Sequence, residues 1–377
     1  MNWKVKPLGS CIEVFDSCRR PVTKKDRVLG PYPYYGASGI VDYVDSYIFE
    51  GLHVLVAEDG ENLRSRKLPI AYLADGRFWV NNHAHVLRAN DENDTRFLSY
   101  MIESLDLSGF ITGSTQPKLS QAALLSIPLR LPKLAEQRRI AGVLGALDDK
   151  IESNQNLAEV IPSLIDAQIH HELSDGSGDS IPVSKLAKFV NGGAYTKEAS
   201  GTGRMVIRIA DLNTGPGAST IYNDIDVPGD RLAHFGDLLM SWSGSLGVYV
   251  WVREEAIVNQ HIFKVILTDF PAWLVHNRLN VALHGFRAIA ADKATTMGHI
   301  QRKHLGETFV EVPIAKLEQL NHLCVPLWNR FISAQLESIR LAELRDALLP
   351  ELMSGRMQVD KAGRLVSEAL DEEVADV

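Results

Sequence analysis

The sequence predicts a mixed α/β protein built as a duplication, with a strand-rich domain followed by a long helix in each half. Three observations support this fold class: the length of the chain, an ordered internal repeat, and a heptad pattern at the end of each copy. At 377 residues the chain exceeds the size at which one hydrophobic core usually stops growing. We therefore expect two or more domains.

The internal repeat is the strongest of these observations. Three segments recur in the same order in the second half: VLVAEDG (54–60) as LLMSWSG (238–244), VNNHAHVL (80–87) as VNQHIFKV (258–265), and GSTQPKLSQAALLSIPLRLP (113–132) as ATTMGHIQRKHLGETFVEVP (294–313). Chance rarely preserves such an order. A long repeat of this kind indicates two copies of one structural unit.

Each copy has a strand-rich part and a helical part. Short apolar runs such as HVLVAE and DLLMSW, separated by glycine and proline, are typical of strands. The helical parts place apolar residues at alternating spacings of three and four, which is the seam of a coiled coil. The seam residues include Ile140, Leu144, Leu147, Ile151, Ile161, Leu327, Phe331, Leu341 and Leu348.

Some residues in the helical parts do not suit a regular helix with an apolar seam. Asn154 falls on the seam and could fix its register at some cost in stability. Pro162, Pro326 and Pro350 are expected to kink or break the helices. Two helices of matching length favour packing on each other, and the alternative is that each packs on its own domain.

These patterns predict the following organisation: a first strand-rich domain at 1–133, a helix at 134–173, a linker at 174–180, a second strand-rich domain at 181–314, a helix at 315–357, and an acidic tail at 358–377. The linker SDGSGDS is flexible by composition. The tail is expected to be disordered, because its end, SEALDEEVADV, has five acids and no base.

Charge and composition narrow the function classes. The net charge of −8 argues at first against a nucleic-acid partner, yet residues 1–133 hold 16 basic and 15 acidic side chains. A neutral domain can bind DNA if its basic residues share one face.

We find neither a transmembrane run nor an apolar signal sequence. Three cysteines without CxxC spacing favour a cytoplasmic protein without a zinc site, with Cys11 and Cys18 as buried small hydrophobes.

Catalytic motifs are missing from the sequence. There is no phosphate-binding loop, and GPYPYYG (30–36) lacks the order of an adenine methyltransferase motif. The acids of AEDGEN (57–62) could bind a metal, but the equivalent MSWSGS has none. We therefore predict no catalytic residue, no metal and no cofactor bound by this chain.

Polar loop residues suit recognition of base edges and phosphates instead. In the first half the candidates are Lys24, Lys25, Tyr35, Ser38, Arg64, Arg66, Lys67, Asn82, His83, Thr115, Gln116 and Lys118. In the second half they are Tyr195, Lys197, Arg204, Arg208, Ser243, Gln260, His261, Thr296, His299 and Gln301. The two histidines His83 and His261 occupy equivalent places, and satisfied core histidines are the other interpretation of them.

Several motifs resemble the specificity subunits of type I restriction-modification systems. LAELRDALLPELMSGRM (341–357) is similar to their closing signature. GSTQPKLS followed by IPLRLPKLAEQRRIAGVLGALDDKIESNQ resembles the end of their first target-recognition domain and the start of their central conserved region. YYGASGIVDYV, VLVAEDGENL and WVNNHAHVL are also typical of such domains. The resemblance covers nearly the whole chain apart from the acidic tail.

The resemblance implies a function. Each recognition domain would read one half of a split duplex DNA site, and the two helices would form an antiparallel coiled coil that sets the spacing. The resemblance implies that two modification subunits dock here and bring S-adenosylmethionine, and that restriction subunits could join them. The chain itself would supply specificity rather than catalysis.

Other hypotheses stay open at this point. The chain could be a protein-interaction scaffold, a nuclease with a site near Glu58 and Asp59, or a subunit of a methylation-only or phage-defence system. The loops 112–120 and 294–301 could also be hinges between domain and helix whose polar residues only cap helix ends.

Overall fold

A computed structural model describes residues 3–292 and 298–371. The chain forms two compact units. Unit 1 combines Met1–Lys150 with Leu341–Val377, and unit 2 is Ile151–Arg340. Each unit therefore contains one strand-rich domain together with one stretch of each long helix.

The helices and strands are as follows. The helices are α1 (Asn62–Ser65), α2 (Thr95–Ser104), α3 (Gln121–Ser126), α4 (Leu134–Leu173), α5 (Ile209–Thr214), α6 (Ala272–Asp292), α7 (Arg302–Glu307), α8 (Leu317–Ser354) and α9 (Val359–Asp371). The strands in unit 1 are β1 (Lys4–Pro7), β2 (Ile12–Val14), β3 (Tyr32–Gly36), β4 (Gly39–Val44), β5 (Phe49–Glu50), β6 (His53–Ala57), β7 (Ala71–Ala74), β8 (Arg77–Val80), β9 (Ala84–Ala89) and β10 (Pro128–Leu131). The strands in unit 2 are β11 (Asp179–Pro182), β12 (Ala187–Asn191), β13 (Arg204–Ile207), β14 (Ile221–Asn223), β15 (Leu232–Ala233), β16 (Leu238–Ser241), β17 (Gly247–Val250), β18 (Ala256–Val258), β19 (Ile262–Leu267) and β20 (Phe309–Val312).

The two units share one sheet topology. Unit 1 has sheets in the orders β2-β9-β6-β7, β4-β3-β8-β5 and β1-β10, and unit 2 has β12-β19-β16-β17, β14-β13-β18-β15 and β11-β20. Each unit also has one parallel pair, β3 with β8 and β13 with β18. The repeat seen in the sequence is thus a repeat of hydrogen-bonded topology.

Within unit 1, the first part of α4 packs against the last part of α8. The seam residues Leu144, Leu147 and Leu348 are buried. Arg345 Nη1 lies 2.9 Å from Asp148 Oδ1, so an ion pair flanks the apolar seam. Each fully buried leucine here contributes about 1.5–3 kcal/mol relative to an exposed one.

Within unit 2, the last part of α4 packs against the first part of α8. Lys316 Nζ, just before α8, lies 3.1 Å from Glu172 Oε2 near the end of α4, so the two helices run antiparallel. Asn154 is fully buried, and its Oδ1 accepts a hydrogen bond from Arg330 Nη2 at 3.3 Å. The amide nitrogen Nδ2 of Asn154 has no hydrogen-bond partner in the described part of the chain, so this seam polar group carries an energetic cost.

The prolines do not break the long helices, so of the two expectations, a kink or a break, the break is wrong. Pro162 lies inside α4, and Pro326 and Pro350 lie inside α8. Proline removes one backbone hydrogen bond, but packing of the flanking turns stabilises a helix more than propensity does. β11 begins at Asp179, within the segment interpreted as a linker.

The acidic tail is another correction, because residues 359–371 form helix α9 rather than a disordered segment. Val359, Ala362 and Val366 are buried, and Arg139 on α4 makes an ion pair with Asp360. These apolar residues are spaced by three and four along the helix, so they share one face. Residues 372–377 lie outside the described part.

We expect Val366→Asp to detach α9 from α4. A helix of 13 residues is marginal on its own in water, so its order depends on this buried face. Burying an unpaired carboxylate there opposes docking, and amide exchange across 359–371 should become fast. The control Leu365→Asp changes an exposed position of the same helix and should leave the amides protected. Retained protection in Val366→Asp would contradict the expectation.

Two further features concern the chain as a whole. Across residues 3–292 and 298–371, no helix combines the length and the apolar character needed to span a membrane. Cys11 is buried as expected, but Cys18 is exposed, since it ends a short turn after β2.

Candidate nucleic-acid interface

In unit 1, the candidate loop 112–120 is held against two turns of one sheet. Leu119 N donates to Glu58 O at 2.8 Å, Gly60 N donates to Pro117 O at 3.1 Å, and Glu58 N donates to His83 O at 2.9 Å. The loop begins at Gly113, whose φ is +85° and whose Cβ position lies 2.2 Å from Gln116 O. Only glycine fits there, so the conformation of the loop is encoded locally.

Unit 2 forms the equivalent backbone hydrogen bonds in the same arrangement. The equivalent hydrogen bonds are Ile300 N to Trp242 O at 3.0 Å, Gly244 N to Gly298 O at 3.0 Å, and Trp242 N to His261 O at 3.2 Å. Isolated bridges also correspond, because Asp59 pairs with Lys118 and Ser243 pairs with His299. We call this arrangement the loop frame of each unit.

Charged side chains next to the loop frame of unit 1 form a network of ion pairs and hydrogen bonds. Arg19 Nη1 lies 2.7 Å from Glu58 Oε2 and also donates to Ala84 O at 2.7 Å. His85 Nδ1 lies 2.6 Å from Asp16 Oδ2, and His85 Nε2 lies 2.8 Å from Leu119 O. A carboxylate and a carbonyl oxygen only accept hydrogen bonds, so both ring nitrogens of His85 donate when both contacts form.

The network lowers the pKa values of its carboxyl groups. Burial alone would raise the pKa of Asp16, but the hydrogen bond and charge of His85, with the Val86 N–H and Arg19, lower it below its usual value. Burial would likewise raise the pKa of Glu58, and Arg19 and His85 lower it. Both carboxylates therefore stay ionised. Asp16 holds His85, whose Nε2 contacts Leu119 O of the loop, and Glu58 Oε1 lies 3.3 Å from Lys118 Nζ.

Asp16, Glu58 and His85 lie close enough together to share a cation. Their ligand atoms are already engaged by the guanidinium of Arg19, by the backbone and by each other. Glu58 points toward this network, whereas the Asp59 carboxylate points to His83 Nδ1 at 2.9 Å. Two acids of AEDGEN, Glu58 and Asp59, thus face different partners, which does not favour a nuclease centre formed by them.

Many of the predicted DNA-binding side chains are exposed. In unit 1 these are Lys24, Lys25, Ser38, Lys67, Asn82, His83, Thr115, Gln116 and Lys118, and in unit 2 they are Lys197, Gln260 and Gln301. Lys118 Nζ also lies 3.3 Å from Glu58 Oε1. No bound nucleic acid is present, so their role in reading DNA stays a prediction.

Two predicted basic readers of unit 1 also hold loops within that unit. Arg64 donates to the carbonyls of Gly113 and Ser114, the latter at 2.9 Å. Arg66 donates to Leu105 O at 2.8 Å and to the Glu103 carbonyl. Their guanidinium groups are occupied because the tertiary fold brings carbonyl groups to them.

Four other residues predicted to contact DNA are also held by side chains of their own unit. Tyr35 packs with the rings of Tyr72 and Phe78 in the core. In unit 2, Arg204 pairs with Glu255, Arg208 binds Asp211 through two hydrogen bonds of 2.8 and 3.0 Å, and the Tyr195 hydroxyl accepts from Arg231. These contacts weaken the case for direct DNA contact by Tyr35, Tyr195, Arg204 and Arg208.

The two predicted DNA contacts Gln116 and Gln301 lie at different places in their loops. Gln301 is the N-cap of α7, as Ser120 is the N-cap of α3, and the backbone N–H of Gln301 donates to His304 Nδ1 at 3.0 Å. Part of the hinge-and-cap interpretation is thus realised in both loops. Thr296 lies outside the described residues.

The histidines of the two frames differ in their partners. His83 contacts Asp59, whereas His261 Nδ1 lies 3.1 Å from Ser243 Oγ. Sequence reasoning identified these histidines, Ser243 and His299, but it missed Asp59 as part of the interface and missed Asp16, Arg19 and His85 altogether. Alternation in VNNHAHVL gave no signal for this difference, because residues two apart share one face of a strand and β9 begins only at Ala84, after His83.

Comparisons with known proteins agree with this fold. Residues 1–163 match the family model of the type I restriction modification DNA specificity domain. A protein described as a type I restriction enzyme specificity subunit, from Haemophilus influenzae, is 38% identical over 148 residues, which is 39% of this chain and 37% of that relative. The specificity subunit of the type I restriction enzyme MjaIX from Methanocaldococcus jannaschii is 22% identical over 96% of this chain and 94% of its own length.

A solved structure extends the similarity to the architecture. The S subunit of a type I restriction-modification system from M. genitalium has a TM-score of 0.61 and 16% identity, covering 93% of this chain and 96% of that one. The sheet topology repeated in the two units and this TM-score show a fold that the chain shares with that S subunit. The first 163 residues thus match the DNA specificity domain of type I restriction-modification systems.

Proposed function

We propose that this chain supplies the DNA sequence specificity of a type I restriction-modification complex, with each unit reading one half of a bipartite duplex site. The observation that carries the proposal is the loop frame, which is repeated with the same backbone bonds and different side chains. A constant frame with variable polar residues suits two domains that read different short sequences.

The long helices have a separate role in this proposal. α4 and α8 set the distance between the half-sites, as spacing in bipartite recognition follows from protein geometry. They also dock two modification subunits, which bring S-adenosylmethionine and methylate adenine. The chain itself is non-catalytic and acts in the cytoplasm, and restriction subunits complete a cleaving complex. A methylation-only or phage-defence complex would use the same specificity subunit.

Selection from randomised duplex DNA tests the proposal. The chain, co-expressed with its neighbouring modification subunit, should enrich two short defined blocks around an unspecified gap. Binding should also weaken steeply with salt, because lysine and arginine contacts to phosphate release counterions. Enrichment of no sequence by a properly assembled complex would favour the protein-interaction scaffold instead.

Replacing Gln116 and Lys118 together with alanine should relax one half-site and leave the other defined. A good base contact contributes about 1–3 kcal/mol of discrimination. The control Lys133→Ala removes an exposed lysine just before α4 and should preserve both half-sites. Loss of folding or assembly in the double variant, with no change in half-site preference, would show that the loop is only a hinge.

A further inference from the structure

The side chains at the two loop frames differ between the units. Three segments meet there: the turn after β6 or β16, the turn before β9 or β19, and the loop before α3 or α7. Leu119 and Ile300 are buried at equivalent positions and anchor the two loops alike. The backbone and the anchor are thus constant, and the exposed or half-buried side chains beside them distinguish the units.

Each frame presents one side chain from each segment. In unit 1 these are Asp59, His83 and Lys118, and in unit 2 they are Ser243, His261 and His299. The contact between the first two members is conserved in geometry, at 2.9 Å from His83 to Asp59 and 3.1 Å from Ser243 to His261. We call each set the reading triad of its unit.

The chemistry of the triads differs in a defined way. The Asp59 carboxylate only accepts hydrogen bonds, and phosphates repel it, so a DNA contact by Asp59 must be to an amino group on a base edge. Cytosine N4 and adenine N6 are the amino groups of the major groove. Ser243 can donate or accept, so it imposes no such restriction. Lys118 adds a fixed positive charge to unit 1.

We infer that the two reading triads determine the base preference of the two half-sites, with Asp59 selecting a base that carries an exocyclic amino group. This inference rests on the proposed function and deepens it. His83 orients the Asp59 carboxylate, as His261 orients the Ser243 hydroxyl. Asp59 is therefore a specificity residue of the first unit, and its counterpart Ser243 serves the second.

An exchange of triad residues between the units tests the inference. The variant Asp59→Ser with Lys118→His gives unit 1 the side chains of unit 2, and Ser243→Asp with His299→Lys does the reverse. A serine at position 59 can keep the contact with His83, because Ser243 makes the equivalent contact with His261. Each variant should change the consensus of one half-site by about 5- to 150-fold at the affected base and leave the other unchanged.

The conservative variant Asp59→Asn separates a change in base preference from a loss of folding. Asparagine keeps the shape and an acceptor for His83 but removes the charge and adds a donor, so a preference for cytosine should fall, whereas adenine, whose N6 and N7 pair with an asparagine amide, should still be accepted. Amide protection of β6 and β9 should stay at the level of the wild type. The control Asp75→Ser with Lys133→His makes the same charge change outside the frame and should leave both half-sites intact.

The outcomes separate this inference from the proposed function. If the wild-type complex selects no bipartite site, the proposed function fails. If the wild-type complex selects one and the folded exchange variants and Asp59→Asn all select it unchanged, only the inference on the triads is overturned. A shift confined to the half-site of the altered unit supports both.

Discussion

Arg19→Met is expected to destabilise unit 1 by about 3 kcal/mol, the lower end of the range for breaking a buried ion pair. The side chains of Arg19, Asp16 and Glu58 are only 13%, 8% and 15% exposed. Removing the guanidinium leaves two carboxylates poorly solvated and deprives the Ala84 carbonyl of a donor. Hydrogen exchange of β6 and β9 amides measures this loss directly.

The matched control is Lys6→Met, since Lys6 and Glu92 form an ion pair with 39% and 73% exposed side chains. Exposed pairs contribute about 0–1 kcal/mol, so the control should barely change exchange rates. DNA selection provides a second measurement, because the network supports the first loop frame and unit 2 has Trp242 where unit 1 has Glu58. Arg19→Met should therefore weaken only one half-site. Equal effects of both variants on exchange would contradict a buried network.

Acidification is expected to destabilise unit 2 through His276 on α6. This side chain lines a groove of about 400 Å³, and its ring lies 5.1 Å from Trp328 and 5.9 Å from Phe331 between ring centroids. Burial lowers the pKa of His276 from 6.5 to about 4. The neutral ring is therefore the form that the folded unit accepts.

The sign of the effect follows from linkage. Because protonation favours the unfolded state, the contribution is complete above pH 6.5 and is lost as the pH falls toward 4. A shift of this size corresponds to at most about 3 kcal/mol. His276→Gln should remove this part of the pH dependence when α6 exchange is measured from pH 7 to pH 4. Ser163→Ala, which alters the same groove, should retain it, and an unchanged pH response in His276→Gln would refute the assignment.

The sequence by itself determined the features that depend on local periodicity. The ordered repeat predicted two copies of one unit, and the sheet orders are the same in both. The heptad seam predicted α4 and α8, because a helix places residues three and four apart on one face. The same spacing of Val359, Ala362 and Val366 could have predicted α9, but the acidic composition of the tail obscured it.

Only the tertiary structure decided which charged groups are available for DNA. Arg64, Arg66 and Arg208 look alike in a sequence as loop cations, yet each is bound to partners within its own unit. His85 and its partner Asp16 are 69 residues apart in the chain. Local patterns report the face on which a side chain lies, whereas pairing between distant residues depends on how strands and loops are brought together. That is why the sequence predicted the family and the loops, and why the loop frames and reading triads emerged only from the fold.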